Sequence, residues 1–294
     1  MIKLTVSLEN EFLRVSFSKD GGELTSIFNK KNNTEYLWQA DSKFWGRHAP
    51  VLFPIVGRLK NDTYRVNGVD YQLSQHGFAR DLEFNIELLE SNQVLFSLHS
   101  NQETLKKYPF DFVLKIKYHL SESKLRVTYI VENPSTKTLL FSIGGHPAFN
   151  VPIQNTELFE DYHVTINPKD NYPQIKLQGN YSDSKNPHDF TKEQLPITRE
   201  TFENDAVILS LKDKHPMLTL TDKKNKKGIH FNTGNADFVG IWSKYPEEAP
   251  FVCIEPWWGL ADDITTDGEL AQKVGIHKLT EKEVFSGFYE IEVF

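Results

Sequence analysis

The stretch "FVLKIKYHLSESKLRVTYIVEN", residues 112–133, alternates apolar and polar side chains on both sides of the four residues SESK. Apolar residues at every second position share one face of an extended chain, because successive side chains of a strand point to opposite faces. Two such runs around a short polar turn make an antiparallel hairpin with one face that needs a core. The same pattern spreads outward along the chain. "FLRVSFS" and "LTSIFN" flank "KDGGE" at 12–29, and "FNIELLE" and "VLFSLHS" flank "SNQ" at 84–100. "TYRVNGVDYQLS" (63–74) carries Asn67-Gly68 between alternating runs, a dipeptide suited to the left-handed backbone of a two-residue hairpin turn. "MLTLTD" and "KGIHFNTG" follow at 217–234, and the chain closes on "GFYEIEVF".

Helix signals are few. "NQETLKKYP" (101–109) has an Asn cap, Glu103 in its first turn and Pro109 as a stop, and "FTKEQLP" (190–196) suggests one further turn. There is no strand–helix–strand alternation and no repeat period, so a doubly wound sheet is not expected. The fold class expected is all-β, a large antiparallel β-sandwich with few short helices. The Asn-, Pro- and Asp-rich stretch 167–200 reads as a long surface excursion, because strand-like segments continue in the same style on both sides of it. The organisation expected is therefore one β-sandwich domain over residues 1–294.

Composition narrows the function classes. A chain of 294 residues can bury a substantial core without a disulfide or structural metal. Its single cysteine, Cys253, excludes an intrachain disulfide and a Cys-based zinc site, and fits a reducing compartment. Glu9 and Glu11 interrupt "MIKLTVSLENEF" where a secretion signal needs an apolar run, and no run of about 18 apolar residues occurs. A cytoplasmic protein with no membrane partner is expected. The net charge is -7, and the one basic run, "DKKNKKG" (222–228), reads as a solvated hairpin turn, so no nucleic-acid partner is expected. Aromatics make up 13% of the chain; they suit strands and also offer flat faces for sugar rings. A homodimer is compatible with the sequence, which does not set the oligomeric state.

Four islands break the strand-turn rhythm: "FPIVGRLKN" (53–61), "SQHGFARDLEF" (74–84), "SIGGHPAFNVP" (142–152) and "VCIEPWWGLADD" (252–263), with "FENDAVIL" (202–209) a weaker fifth. Alternation in "PFVCIEP" puts Phe251, Cys253 and Glu255 on one face, with Val252 and Ile254 on the other. Glu255 is expected half-buried, and burial raises a carboxyl pKa toward that of a base useful near neutrality. Trp257 and Trp258 follow as a ligand face or as core packing. His146 comes after Gly144-Gly145 and His76 before Gly77; glycines let the backbone turn and a ligand approach. Neither histidine has metal-ligand spacing, so no metal is expected. Arg58 either holds hydroxyls or a phosphate, or is salt-bridged. Cys253 reads as a packed small residue. One His and one Glu suit the opening of a cyclic hemiacetal, in which a base takes the anomeric hydroxyl proton while an acid protonates the ring oxygen. That reaction calls for no cofactor.

In this order, "HGFAR", "GGHPAFNV", "NDAVIL", "HFNTGN" and "IEPWWGLAD" resemble the aldose 1-epimerase (galactose mutarotase) superfamily, with the nearest likeness to its LacX-like branch. The resemblance spans nearly the whole chain and implies a galactose mutarotase-like supersandwich with an open sugar cleft. It implies His146 as the acid, Glu255 as the base and His76 as a helper at the ring oxygen. It implies Arg58 and Asp205 as sugar-holding residues, with Asp237 a rival for the latter role; Trp257, on the residue reading above, is expected at the ligand face. The partner implied is a small-molecule aldohexose such as galactose. The "EPWWGLAD" segment departs from galactose mutarotases proper, and "HGFAR" is closer to hexose-6-phosphate epimerases, which makes Arg80 either a phosphate ligand or a salt-bridge partner of Asp81 or Glu83. A non-catalytic sugar-binding protein is the alternative from another class. A glycosidase using Glu255 with Asp262 or Asp263 would leave both histidines without a role.

Overall fold

The hairpin of residues 112–133 forms the middle of a nine-stranded antiparallel sheet. The computed structural model describes residues 6–154, 158–224 and 227–294. In spatial order this sheet runs Gln194–Pro196, Tyr162–Asn167, Met217–Asp222, Gly228–Asn232, Val284–Val293, Lys124–Glu132, Val113–Ser121, Gln93–His99 and Asn85–Leu89. Its central strands bury every second residue, so one face is core and the other faces water. A second, seven-stranded sheet carries Gln174–Ile175, Val207–Ser210, Phe238–Trp242, Phe251–Trp258, Ile143–Gly145 and Val51–Leu52 in that order, with Ala148–Asn150 also on Phe251–Trp258. The inner faces of the two sheets share one core. Tyr129 meets Trp258 edge-on at 6.0 Å, and Phe231 meets Phe149 at 6.3 Å. Aromatic pairs at such angles add to the gain from area burial.

The all-β, antiparallel expectation holds, and so do the hairpins. Asn67 and Gly68 have φ of 51° and 78°, the left-handed pair of a tight hairpin between Thr63–Val66 and Val69–Gln72. The helix Gln102–Lys107 is capped by Asn101, whose side chain accepts from the Glu103 and Thr104 N–H groups. The turn expected in "FTKEQLP" is instead a strand. Leu195 and Ile197 are buried two apart, and Gln194–Pro196 pairs with Tyr162–Asn167 as the edge of the large sheet, where a proline costs no ladder bond. The stretch 167–200 is also more than a surface excursion, since it adds a strand to each of the two large sheets. The first five residues, and Asn225 and Lys226 of the basic turn, lie outside the described residues.

Gly145 serves packing between the two sheets, and Gly144 makes room for the Trp257 ring on the neighbouring strand of its own sheet. A Cβ on Gly144 would stand 2.7 Å from Trp257 Cδ1, and one on Gly145 would stand 2.7 Å from the Tyr129 hydroxyl and 3.2 Å from that of Tyr289. Gly145→Ala is thus expected to overpack the core and destabilise the fold by about 1–3 kcal/mol, read as a lower urea midpoint. An unchanged midpoint would show that the two tyrosines can yield.

Candidate active site

The strand Phe251–Trp258 is buried along its whole length. The face with Val252, Ile254 and Trp258 belongs to the main core, while Cys253, Glu255 and Trp257 face away from it. Glu255 is therefore fully rather than half buried, at 1% exposure. Its position relative to His146 follows from pairing. Gly144 lies opposite Trp257, and Ala148 lies opposite Cys253. The residue midway between Gly144 and Ala148 is His146, and the residue midway between Trp257 and Cys253 is Glu255. The break at His146-Pro147 interrupts the ladder there without changing its register, and Ile254 N–H still donates to the Pro147 carbonyl. His146 Nε2 ends 3.1 Å from Glu255 Oε2.

Trp45 lies 4.8 Å from the His146 ring, centroid to centroid, tilted by 30°; Trp242 lies 5.7 Å away, edge-on. His76 meets His146 edge-on at 5.7 Å. His76 is held with φ of 67°, unusual for a residue with a Cβ, and its Nδ1 accepts the Gly57 N–H at 3.1 Å. The ring proton of neutral His76 therefore sits on Nε2. These groups line a cavity of about 420 Å³, together with Arg47, Arg58, Arg80, Asp205, Trp257, Gln75 and Asn180.

Burial sets the electrostatics. Desolvation holds both His76 and His146 well below histidine's ordinary range, with His146 a further cause for His76 and the cavity arginines for both. Desolvation pushes the Glu255 carboxyl well up, and the Asp205 charge adds to that. The dyad thus favours the pair of neutral groups, carboxyl and imidazole, in which one proton serves two sites. Arg80 is lowered to about 10, first by desolvation and then by Arg47. Arg80 donates to the Gln75 carbonyl at 2.8 Å, and its Nε is buried without a hydrogen-bond partner among the described residues. The Arg58 Nε is ion-paired with Asp62 Oδ1 at 3.4 Å, so Arg58 is salt-bridged while it also lines the cavity. The salt-bridge alternative for Arg80 survives only as a long 3.9 Å contact to Asp81, which is held at 2.8 Å by Arg47; Glu83 pairs with Lys19. Asp205 stands at the exposed rim with φ of 69°, its Oδ1 accepting the Ala206 N–H.

The cavity brings together His146, Glu255, His76, Arg58, Arg80, Asp205 and Trp257. It does not include Asp237, whose carboxylate faces His277 at 3.4 Å. Asp262 and Asp263 are also occupied elsewhere. Asp263 accepts from Ser184 and Thr265. Asp262 accepts from Lys273 Nζ at 2.9 Å and from the Lys60 N–H at 2.8 Å, while its own N–H donates to the Arg58 carbonyl and its carbonyl accepts from Ser182 N–H. That buried ion pair fastens the Arg58 loop and the 180–182 turn to the end of the Glu255 strand. Trp258 is core, with its indole N–H on the Asn235 carbonyl. Trp45, Arg47 and Trp242 were not foreseen. "FWGRHAP" (44–50) has an aromatic-Gly-Arg-His cluster that could have marked the first two, whereas Trp242 ends an ordinary strand pattern.

Asp262→Asn would leave the Lys273 ammonium buried and unpaired, an expected loss of about 3–5 kcal/mol in urea unfolding. Adding Lys273→Met should restore most of it. An equally large loss in the double variant would mean that the Lys60 and Arg58 backbone bonds, rather than the charge, carry the effect.

Among known proteins, the family model described as Aldose 1-epimerase matches residues 4–274. The Lactococcus lactis subsp. lactis protein LacX (chromosomal) is 33% identical over 303 aligned residues, which cover 99% of both chains. The crystal structure of a galactose mutarotase related enzyme from Lactobacillus acidophilus superposes with a TM-score of 0.97 at 38% identity, covering 99% of this chain and 97% of that one. A galactose mutarotase-like protein from Lactobacillus casei ATCC 334 gives 0.92 at 32% identity, covering 99% and 100%.

Proposed function

This chain belongs to the aldose 1-epimerase family, and from that premise we propose that it interconverts the α and β anomers of a hexose, with His146 as acid and Glu255 as base. The observation that carries the reading is the 3.1 Å approach of His146 Nε2 to Glu255 Oε2 on the floor of a cavity of about 420 Å³. A cavity of that size suits one sugar ring.

The chemistry needs one proton taken and one given. Transfer of the carboxyl proton to Nε2 turns the neutral pair into carboxylate and imidazolium. Glu255 then accepts the proton of the anomeric hydroxyl while His146 protonates the ring oxygen. The C1–O5 bond breaks, C1=O1 forms, and the pair is again neutral. That is the protonation state which burial favours and from which the pair began, so closure can run through the same two groups. Rotation about C1–C2 presents the other carbonyl face. Closure returns the O5 proton to His146 and the Glu255 proton to O1. His76, with its Nε2–H as a donor, steadies the ring oxygen. Trp45, Trp242 and Trp257 supply the apolar walls, and Arg58 and Asp205 hold hydroxyls.

A second reading, epimerisation of a hexose 6-phosphate, is favoured by three arginines in one cavity, of which Arg80 has a buried Nε with no hydrogen-bond partner among the described residues. Planar guanidinium groups suit phosphate oxygens.

Exchange NMR on α-D-glucose, α-D-galactose and their 6-phosphates separates these readings. Anomer exchange above buffer is expected, with Glu255→Gln lowering kcat by about a hundred- to ten-thousand-fold. Response of the phosphorylated sugars alone, abolished by Arg80→Ala, selects the second reading. Binding of sugar with no exchange would make the chain a sugar-binding protein and overturn both.

The pH profile of kcat/KM gives a further check. Activity is lost on the acid side when the pair gains a second proton, and on the alkaline side when it loses its only one. Burial lowers the first of these events and raises the second. The acid limb is therefore expected well below histidine's ordinary value of about 6.5. An inflection at that ordinary value would count against a dry dyad.

A further inference from the structure

Ring opening gives Cys253 nothing to do, yet its sulfur sits beside both reacting groups. An imidazole nitrogen of His146, the Cys253 Sγ and a carboxylate oxygen of Glu255 all lie within 4.8 Å of one another. We propose that these three residues form a binding site for a thiophilic divalent cation, with zinc as the ion, and that an ion held there blocks the acid–base pair.

The placement is set by the backbone. Cys253 and Glu255 are two apart on one strand and so share a face. The register that puts His146 opposite Glu255 also puts Ala148, with its small side chain, opposite Cys253. Cys253 and Glu255 therefore stand on a paired, buried strand, and His146 stands at the break between the two segments that pair with it. Four-coordinate zinc binds thiolate, imidazole and carboxylate at about 2.0–2.3 Å, which spaces its ligands by about 3.4 Å. Side-chain rotation of Glu255 and Cys253 by roughly an ångström closes the set. The fourth position opens to the cavity through His146 and Glu255, which line it.

A second observation concerns the same residues. Among the described residues His146 Nδ1 has no hydrogen-bond partner, and Glu255 Oε2 has none beyond the proton it shares with His146 Nε2 at 3.1 Å. A cation that takes the place of that proton keeps the carboxylate oxygen partnered in a dry site, where an unpaired acceptor is costly. The donor set of one nitrogen, one sulfur and one oxygen selects zinc, cadmium or cobalt over magnesium and calcium, which prefer oxygen alone. Charge also balances. The ion displaces the thiol proton and the shared proton of the dyad, so two positive charges enter and two leave. Net charge in the arginine-lined cavity is unchanged. This departs from the sequence reading, in which a single cysteine and histidines without ligand spacing gave no zinc site, because these ligands meet only through strand register across more than a hundred residues.

The test titrates cadmium and cobalt into the metal-stripped full chain and follows thiolate-to-metal charge transfer in the ultraviolet. One ion per chain is expected, displaced by zinc, with the band lost in Cys253→Ala and affinity down about ten-fold or more in His146→Asn. No band in the parent chain, or a band that persists in Cys253→Ala, overturns the site. A second arm rests on the proposed epimerisation: zinc should suppress anomer exchange, a chelator should restore it, and the activity of Cys253→Ala should no longer respond to zinc. Exchange in the parent chain that stays at full rate with zinc bound would overturn the blocking role. The band needs no sugar chemistry. A chain that binds cadmium but epimerises nothing refutes the proposed function alone, and one that epimerises without a band refutes the metal site alone.

Discussion

The register between the strand Phe251–Trp258 and the two short segments Ile143–Gly145 and Ala148–Asn150 is the constraint on which the site depends. Side chains alternate along a strand, so a slip of one residue would turn Glu255 into the core and bring Ile254 to the cavity. Several packings hold the register at once. Trp258 is locked by Tyr129, Trp257 fills the space above Gly144, and Gly145 lets the tyrosine hydroxyls come close. The two glycines are thus part of the mechanism only indirectly. Gly145 lets the two sheets come together and Gly144 seats the Trp257 ring, so the segment before the histidine keeps its register with the strand of the glutamate.

That closeness of packing also makes the site dry, and dryness decides its protonation. A carboxylate and an imidazolium are each penalised by desolvation, so the pair rests neutral with one shared proton. The aromatic rings of Trp45 and Trp242 over His146 contribute to this. His76 is neutral for the same reason, and the Gly57 N–H on its Nδ1 determines which nitrogen is left to donate. An acid–base pair that must both give and take a proton is well served by groups whose charged and neutral forms lie close in energy.

The walls of the cavity come from loops distant in sequence, and one buried ion pair ties them together. Asp262 and Lys273 link the Arg58 loop, the 180–182 turn and the end of the Glu255 strand. Breaking such a pair is costly because one buried charge is left behind. Arg80 keeps a buried Nε without a hydrogen-bond partner among the described residues, while Arg58, which also lines the cavity, is ion-paired with Asp62.

Much of this was legible in the sequence. Period-two runs such as residues 112–133, with Asn67-Gly68 and similar turns, establish antiparallel hairpins, because alternation is a local property of a half-buried strand. Glu255, His146 and His76 stood out where a polar group interrupts that alternation beside glycine or proline. Other features depended on tertiary structure. The segment "FTKEQLP", with Leu195, read as a helical turn until the Tyr162–Asn167 strand gave it an edge to join. Asp237 and Asp205 could not be ranked from local pattern, since one ends on His277 and the other on the cavity rim only after the sheets have closed. Trp242 was indistinguishable from a core tryptophan. The sequence by itself determined which segments are strands and which residues bear the chemistry. Which of those residues meet, and in how dry a place, was decided by strand register and by packing between sheets, long-range interactions that no local pattern encodes.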